Sequence, residues 1–237
     1  MNKISLPRII VAGLLFIIGG ILVFNVPIRN AYMKYQTSKF QIEHVSRKKI
    51  EVNSKKKVSY DYSTIRAIST PDVVKSDTTN LAVVGGIAIP DVGINLPIFK
   101  GMGNSELTYG VGTMKPDQEM GSKTNYALAS HHVFGISGAD KMLFSPLVKA
   151  KTGMTIYLTD KASIYTYKIT NISVVTPEHV EVVYNTPNKA EVTLVTCTDA
   201  EATKRTIIRG EYQSKVAFNH ADKAMSEAFN KGYNLIN

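Results

Sequence analysis

The chain has only one cysteine, Cys197, in 237 residues. A disulfide within the chain is therefore impossible, and in a chain predicted to be exported an unpaired thiol is open to oxidation. We therefore consider this cysteine first as a nucleophile and only then as a packing residue. The sequence also lacks internal repeats, nucleic-acid-binding motifs and an aromatic platform for bases, so nucleic acid is not an expected partner.

The one long hydrophobic run extends from Ile9 to Phe24, and no charged residue follows it until Arg29. About 20 apolar residues rising 1.5 Å each match a hydrocarbon core of roughly 30 Å, so residues 1–28 are predicted to be a cytoplasmic tip and a transmembrane anchor. Lys3 and Arg8 before the run favour a cytoplasmic N-terminus in the cell membrane. A cleaved signal peptide is the alternative, disfavoured because only one small residue follows the run closely. Both interpretations place the rest of the chain outside the cell.

Residues 29–78 are predicted to form a basic, flexible spacer. Charge clusters at Arg47–Lys49 and Lys55–Lys57 contribute to a net charge of +9, and the large apolar residues are too scattered to build a core. We favour a solvated stalk that repels itself and holds a domain off the membrane. Attraction to anionic wall polymers or lipid headgroups is the alternative.

Residues 79–237 are predicted to form an all-β domain with a short C-terminal helix. Seven or eight short apolar runs in about 140 residues, separated by turn residues, are typical of a barrel or sandwich. Helical spacing predicts the helix at Ala221–Phe229. Segment 101–124 lacks periodicity and is expected to be a functional loop or to contain a short helix. The predicted strands are Gly86–Ile89, Leu96–Phe99, Tyr126–Ser130, Thr155–Leu158, Ile164–Val175, Val192–Cys197 and Thr206–Phe218, the last with a break near Gln213.

Two arginines follow the cysteine strand. If that strand and the next form an antiparallel hairpin, the first residue of the second lies beside the last residue of the first, so Arg205 is predicted to flank Cys197. Arg209 has the same side-chain parity but lies about 13 Å further along, and is the weaker candidate. Either arginine would ordinarily be interpreted as a surface charge, but the lone thiol next to Arg205 favours a catalytic role for this arginine.

A histidine pair, His131 and His132, ends another apolar strand. Adjacent strand residues face opposite sides of a sheet, so only one of the two is expected to reach Cys197, and the pattern leaves open which. A zinc site is disfavoured because adjacent ligands diverge and the sequence lacks a second cysteine or a carboxylate cluster at ligand spacing. The histidines predicted to be solvated are His44, His179 and His220.

These segments resemble the signatures of the sortases, the membrane-anchored cysteine transpeptidases of Gram-positive bacteria. Thr193–Thr198 resembles their Thr-Leu-x-Thr-Cys motif, and Ala129–Gly135 resembles the histidine segment of streptococcal-type class A enzymes. Arg205 stands where those enzymes have their arginine. The resemblance covers residues 80–220 and implies an eight-stranded sortase-type β-barrel with short helices after a single transmembrane helix.

The resemblance also implies an activity. A sortase cleaves the Thr-Gly bond of a Leu-Pro-x-Thr-Gly (LPXTG) sorting signal and transfers the thioacyl intermediate to an amine of lipid II or of the peptidoglycan cross-bridge, which anchors surface proteins to the wall. Cys197 corresponds to the nucleophile, His131 to the proton carrier and Arg205 to the group that stabilises the oxyanion or positions substrate. Further candidates for substrate binding or the oxyanion site are Ser130, Thr196 and Thr198.

Two expectations concern the state of the implied site. The family is thought to need a thiolate and an imidazolium together, which cations near Cys197 are expected to favour. The backbone N–H of Thr198 is expected to share the oxyanion charge with Arg205.

No cofactor is expected. Some class A sortases bind calcium through carboxylates in the loop before the histidine strand and a distant glutamate. Here Asp117 and Glu119 lie in that loop, but Lys123 stands near one expected ligand and Tyr184 near the distant one. A cation at this place argues against calcium.

Two alternatives remain beside a class A enzyme. A pilin-polymerising or specialised sortase is disfavoured, because class C enzymes carry an aspartate-aromatic lid and a C-terminal membrane helix, and the sequence shows neither. A non-catalytic, membrane-anchored binding protein would hold Cys197 as a buried, inert hydrophobe.

Overall fold

The computed structural model describes residues 6–66, 68, 78–135 and 138–232. Their eight strands form a closed barrel in the order β1-β2-β3-β4-β7-β8-β6-β5, which confirms the predicted fold class. The strands are β1 (Val83–Ile89), β2 (Ile94–Phe99), β3 (Val111–Thr113), β4 (Asn125–Ala129), β5 (Thr155–Thr159), β6 (Ser163–Val175), β7 (Glu191–Cys197) and β8 (Arg205–Ala217). The α-helices are α1 (Leu6–Ser38), α2 (Arg47–Ser54), α3 (Asn104–Tyr109) and α4 (Lys223–Asn230).

Alternating apolar residues explain the barrel. The inward side chains of the strands form one buried cluster that includes Ile87, Leu96, Leu128, Leu158 and Leu194. Their burial removes apolar surface from water, which is the main favourable term in folding. The barrel is therefore filled with side chains, and a substrate site must lie at a rim or on the outer face.

Two details of the strands differ from the prediction. Segment 101–124 was expected to be a loop or to contain a short helix; it contains the helix α3, but the strand β3 that follows was not predicted, since three residues are too few to show a period. The predicted break near Gln213 is a β-bulge within continuous β8: the pairing with β6 passes from Thr166–Ser214 to Tyr167–Tyr212 and skips Gln213. An extra unpaired residue of this kind bends a strand without ending it.

The apolar part of α1, Leu6–Asn25, is by length and composition able to cross a membrane, with a mean hydropathy of 2.4. The large hydrophobic side chains of this part are exposed to the surroundings of the protein. A surface of this kind is compatible with lipid contact.

The structure differs from the flexible spacer predicted for residues 29–78. Ile42, Val45 and Ile50 are buried in a second cluster, on the outside of the barrel, that includes Phe229 of α4. Lys161 Nζ donates hydrogen bonds to three backbone carbonyls of this segment, at 2.7 to 3.0 Å. Scattered apolar residues suffice here because the barrel supplies the rest of the core. Residues 67 and 69–77 lie outside the described residues, so the domain boundary at 78 and 79 stays a prediction.

Candidate active site

The β7–β8 hairpin places the thiol beside an arginine. Cys197 and Arg205 form the last residue pair of this ladder, whereas Arg209 is opposite Thr193. The predicted register is therefore confirmed. Directly opposed residues on an antiparallel ladder have their Cβ atoms about 5 Å apart, so the Arg205 side chain leaves its strand next to the Cys197 side chain.

The parallel pairing of β4 with β7 brings the histidines to the same end. Ala129, the last residue of β4, is aligned with Val195, so the chain after β4 runs beside Cys197. A cavity of about 230 Å³ opens here and is lined by His131, His132, Cys197 and Arg205. Its apolar wall consists of Met102, Leu107, Met114, Ala129 and Val195.

Burial raises the pKa of the half-buried Cys197 thiol; the Arg205 charge lowers it and the Asp199 carboxylate raises it. Nearby cations were expected to favour the thiolate. Arg205 acts in that direction, but the effect of burial on the pKa is larger. Burial thus favours the protonated thiol over the thiolate. The reaction of Cys197 as a nucleophile requires removal of that proton.

The connection between β7 and β8 fixes the Arg205 side chain. Arg205 Nη1 donates to the carbonyl oxygens of Ala202, at 2.8 Å, and Lys204, at 3.1 Å. Asp199 organises the same turn by accepting hydrogen bonds from the backbone N–H of Thr203, at 2.8 Å, and Lys204, at 3.2 Å. The guanidinium is thus held at the cavity rim by the backbone beneath it.

Both histidines line the cavity, because β4 ends at Ala129 and the alternation of a strand no longer applies to them. His132 Nδ1 lies 3.0 Å from the carbonyl oxygen of Cys197, and its ring stacks on Phe134. A carbonyl only accepts, so Nδ1 carries the proton and donates it. Burial lowers the pKa of His132, against a weaker opposing effect of this hydrogen bond. His131 is 8% exposed and belongs to the same cavity.

The hydroxyl candidates are engaged within the protein. Ser130 Oγ donates to the Gly110 carbonyl at 2.6 Å, and Thr196 Oγ1 donates to the Ser130 carbonyl at 2.9 Å. The Thr198 N–H donates to the Lys204 carbonyl at 3.1 Å, so it is engaged within the β7–β8 turn, and its share in binding an oxyanion stays a prediction. Roles for the three residues in substrate binding stay predictions.

Sequence reasoning missed a wall of the cavity. Tyr62, Ile65 and Arg66, from the predicted spacer, line it opposite the strands. The Tyr62 hydroxyl donates to the Met114 carbonyl, and the Arg66 N–H donates to Asn104 Oδ1 at 2.9 Å. The sequence did carry a signal for this wall. The tyrosines and the isoleucine that follow the basic cluster are too apolar for a solvated stalk.

Among the described residues, no group of three or more His, Cys, Asp and Glu side chains could hold a metal ion. Lys115 Nζ donates to Asn185 Oδ1 at 2.5 Å and so links the loop before β4 to the loop before β7. Asp117 and Glu119 line a separate cavity that also contains Lys115. Lys123, expected to stand near one calcium ligand, does not line this cavity, and calcium independence stays a prediction. The three other histidines, His44, His179 and His220, are exposed, and His179 contacts Glu181.

Comparison with known proteins gives consistent matches. The family model described as Sortase domain matches residues 87–213. The chain is 58% identical over 232 residues to sortase A of Streptococcus agalactiae, which covers 97% of this chain and 94% of that protein. It is 37% identical over 205 residues to sortase A of Listeria monocytogenes, with coverage of 86% and 90%. The solved structure of Listeria monocytogenes sortase A superposes with a TM-score of 0.57 at 39% identity, covering 63% of this chain and 99% of that one.

Proposed function

Since the chain belongs to the sortase family, as a class A cysteine transpeptidase that cleaves LPXTG sorting signals and anchors surface proteins to the cell wall, we propose that Cys197, His131 and Arg205 carry this reaction. The observation that supports the assignment is the pairing of Cys197 with Arg205 on the last rung of β7 and β8, in a cavity that His131 also lines. A thiol, a guanidinium and an imidazole at one rim supply a nucleophile, a charge donor and a proton carrier.

In the first half-reaction His131 accepts the proton of the Cys197 thiol, and the resulting thiolate attacks the threonine carbonyl of the sorting signal. A bond forms between Sγ and the carbonyl carbon, and the bond to the glycine nitrogen breaks as His131 gives a proton to the departing amine. In the second, an amine of the wall precursor attacks the thioester, His131 takes a proton from this amine, and the leaving thiolate recovers that proton from His131. His131 therefore accepts and gives up the same number of protons over one turnover.

His132 is less suited to this proton transfer. Its Nδ1 proton is committed to the Cys197 carbonyl at 3.0 Å, and its ring is held by stacking on Phe134. We assign it to holding the backbone of Cys197. Arg205, fixed by the carbonyls of its own turn, is placed to donate to the developing oxyanion or to a substrate carbonyl.

The apolar wall beside the cavity suits the leucine and proline of an LPXTG signal. Surface proteins that carry such a signal and a peptidoglycan amine are the substrates that the family implies, and lipid II or a cross-bridge amine is our specific proposal for the second. The relatives are cell-surface enzymes, and the apolar α1 is compatible with an anchor. We place the N-terminus in the cytoplasm and the barrel outside.

The test uses the full chain in detergent with a fluorogenic LPXTG peptide and a glycine-based amine. Cys197→Ala should abolish both cleavage and ligation, and His131→Ala should lower turnover by about two or more orders of magnitude, the usual effect of losing a proton carrier. The matched control, His132→Ala, should cost much less. Product formed by folded Cys197→Ala above the uncatalysed level contradicts the mechanism, and a larger loss for His132→Ala than for His131→Ala contradicts the histidine assignment.

A further inference from the structure

Arg209, the arginine that the catalytic proposal leaves without a role, connects the barrel to the loop between β6 and β7. Its Nη2 donates to the Val182 carbonyl at 3.0 Å, and its Nη1 lies 3.9 Å from Glu191 Oε1. Glu191 is only 2% exposed, so this ion pair is shielded from water on one side. The guanidinium is therefore held between a buried carboxylate and the backbone of residues 176–190, which we call the β6–β7 loop.

Asn125 holds the same loop from a neighbouring strand. Its Nδ2 donates to the carbonyls of Val182 and Tyr184, both at 3.2 Å, and its backbone N–H donates to Asn185 Oδ1 at 2.9 Å. Asn125 is fully buried. Two side chains that reach from the sheet, one on β4 and one on β8, thus fix the same short stretch of loop backbone.

The held stretch covers the surface next to the catalytic cavity. Val182 and Val183 pack against an apolar cluster on the outer face of the sheet, whose members include Ala127 and Ile207. Other members of this cluster are Met102, Leu107, Met114, Ala129 and Val195, which form the apolar wall of the cavity. The position of the loop therefore determines where that wall ends.

We infer that Arg209, supported by Glu191, and Asn125 are positioning residues that hold the β6–β7 loop as the outer border of the substrate's apolar surface. This inference rests on the proposed placement of the sorting signal beside Cys197. Arg209 is four residues beyond Arg205 on β8, about 13 Å along the strand, so it does not touch the reacting bond. Its effect is on binding of the sorting signal and not on the chemical step.

The experiment compares full-length enzyme in detergent with three variants. Arg209→Met alone would leave a buried carboxylate unpaired, since Glu191 Oε2 has no hydrogen-bond partner among the described residues, so it is combined with Glu191→Gln. Asn185→Ala removes the acceptor on the exposed side of the loop and leaves the barrel core intact. Lys189→Ala is the control within the same loop, because its ammonium pairs with Glu211 at the surface and not with the loop carbonyls.

Three measurements separate positioning from chemistry: KM and kcat for the LPXTG peptide, the alkylation rate of Cys197, and hydrogen exchange of residues 176–190. Arg209→Met/Glu191→Gln and Asn185→Ala should raise KM about ten-fold and several-fold, respectively, and speed exchange in the loop. Their kcat and alkylation rates should stay within about three-fold of the parent, and Lys189→Ala should match the parent throughout.

Unchanged KM in a folded variant overturns the inference, whether or not the loop exchanges faster. A fall in kcat at unchanged KM also overturns it, because Arg209 would then act on the chemical step. If the double variant does not fold, Asn185→Ala decides the question by the same criteria. Failure of the catalytic assignment would appear separately, as retained activity of Cys197→Ala, and would leave the loop exchange result intact.

Discussion

The surroundings of Cys197 shift the pKa of its thiol in opposite directions. Burial raises the pKa of its thiol, Arg205 lowers it, and Asp199 raises it. The strand pattern of the sequence predicted the Arg205 contact, because pairing in an antiparallel hairpin depends only on counting from the turn. Burial and the Asp199 effect were not predictable, since both depend on how the turn folds over the thiol.

These opposing effects give a pH prediction for the thiol. The thiolate is the form that reacts, so the rate of alkylation of Cys197 by iodoacetamide should keep rising above the pH at which an exposed thiol has ionised. Loss of the positive charge in Arg205→Met raises the pKa further, so at pH 8 this variant should react several-fold more slowly. Loss of the negative charge in Asp199→Asn lowers the pKa, so this variant should react faster.

Mass spectrometry of the full chain over a pH series measures these rates. Lys215→Met, at the opposite end of β8, serves as the control and should follow the parent curve. Shifts of the two turn variants in the same direction would show that the turn acts by changing access to the thiol and not by charge.

At the scale of elements, the chain after residue 82 was more predictable than the chain before it. Short apolar runs bounded by turn residues identified seven of the strands, and β3 escaped because three residues are too few to form such a run. Helix α2 was missed for a different reason. Its sequence, Arg47–Ser54, is polar, and its few apolar residues become a buried face only when the barrel and α4 are present.

The packing of α2 gives a stability prediction. Ile50 is 4% exposed and packs between the barrel and α4, so Ile50→Ala should lower the free energy of unfolding by about 3 kcal/mol, within the range for buried isoleucine truncation. Val52, on the same helix, is 57% exposed, and Val52→Ala should change it by less than about 0.5 kcal/mol. Urea denaturation of the full chain in detergent measures both. Equal, small effects would indicate that residues 42–54 do not pack on the barrel in solution.

On the scale of the whole molecule, the apolar helix α1 packs on the domain that carries the cavity. Helix α1 contacts α3, and Gln36 and Thr37, near the end of α1, are buried. Helix α3 in turn supplies Leu107 to the wall of the cavity. In the membrane orientation that we propose, with α1 as the anchor, this packing would keep the site close to the cell surface, where the sorting signal and the wall amine are expected to be presented.

The contacts between the loops around the barrel lead to a prediction about the effect of calcium on the activity of the whole enzyme. A calcium ion that tied the loop before β4 to the β6–β7 loop would need about six or more converging oxygen ligands. In this chain the ammonium of Lys115 already joins the two loops through Asn185, and a second positive charge in the same place would be repelled. Arg209 and Asn125 add further contacts to the β6–β7 loop that need no metal.

Peptide ligation by the full chain should therefore change by less than about two-fold between millimolar calcium and an excess of chelator, because the loop contacts form without a divalent ion. Lys115→Glu replaces the cation by a potential ligand. It should weaken the loop contact and raise KM in chelator, and calcium should restore part of the loss if the carboxylate joins Asp117 or Glu119 at the ion. Several-fold activation of the unmodified enzyme by calcium would instead show that the loop before β4 rearranges and that the Lys115–Asn185 contact is not the form that binds substrate.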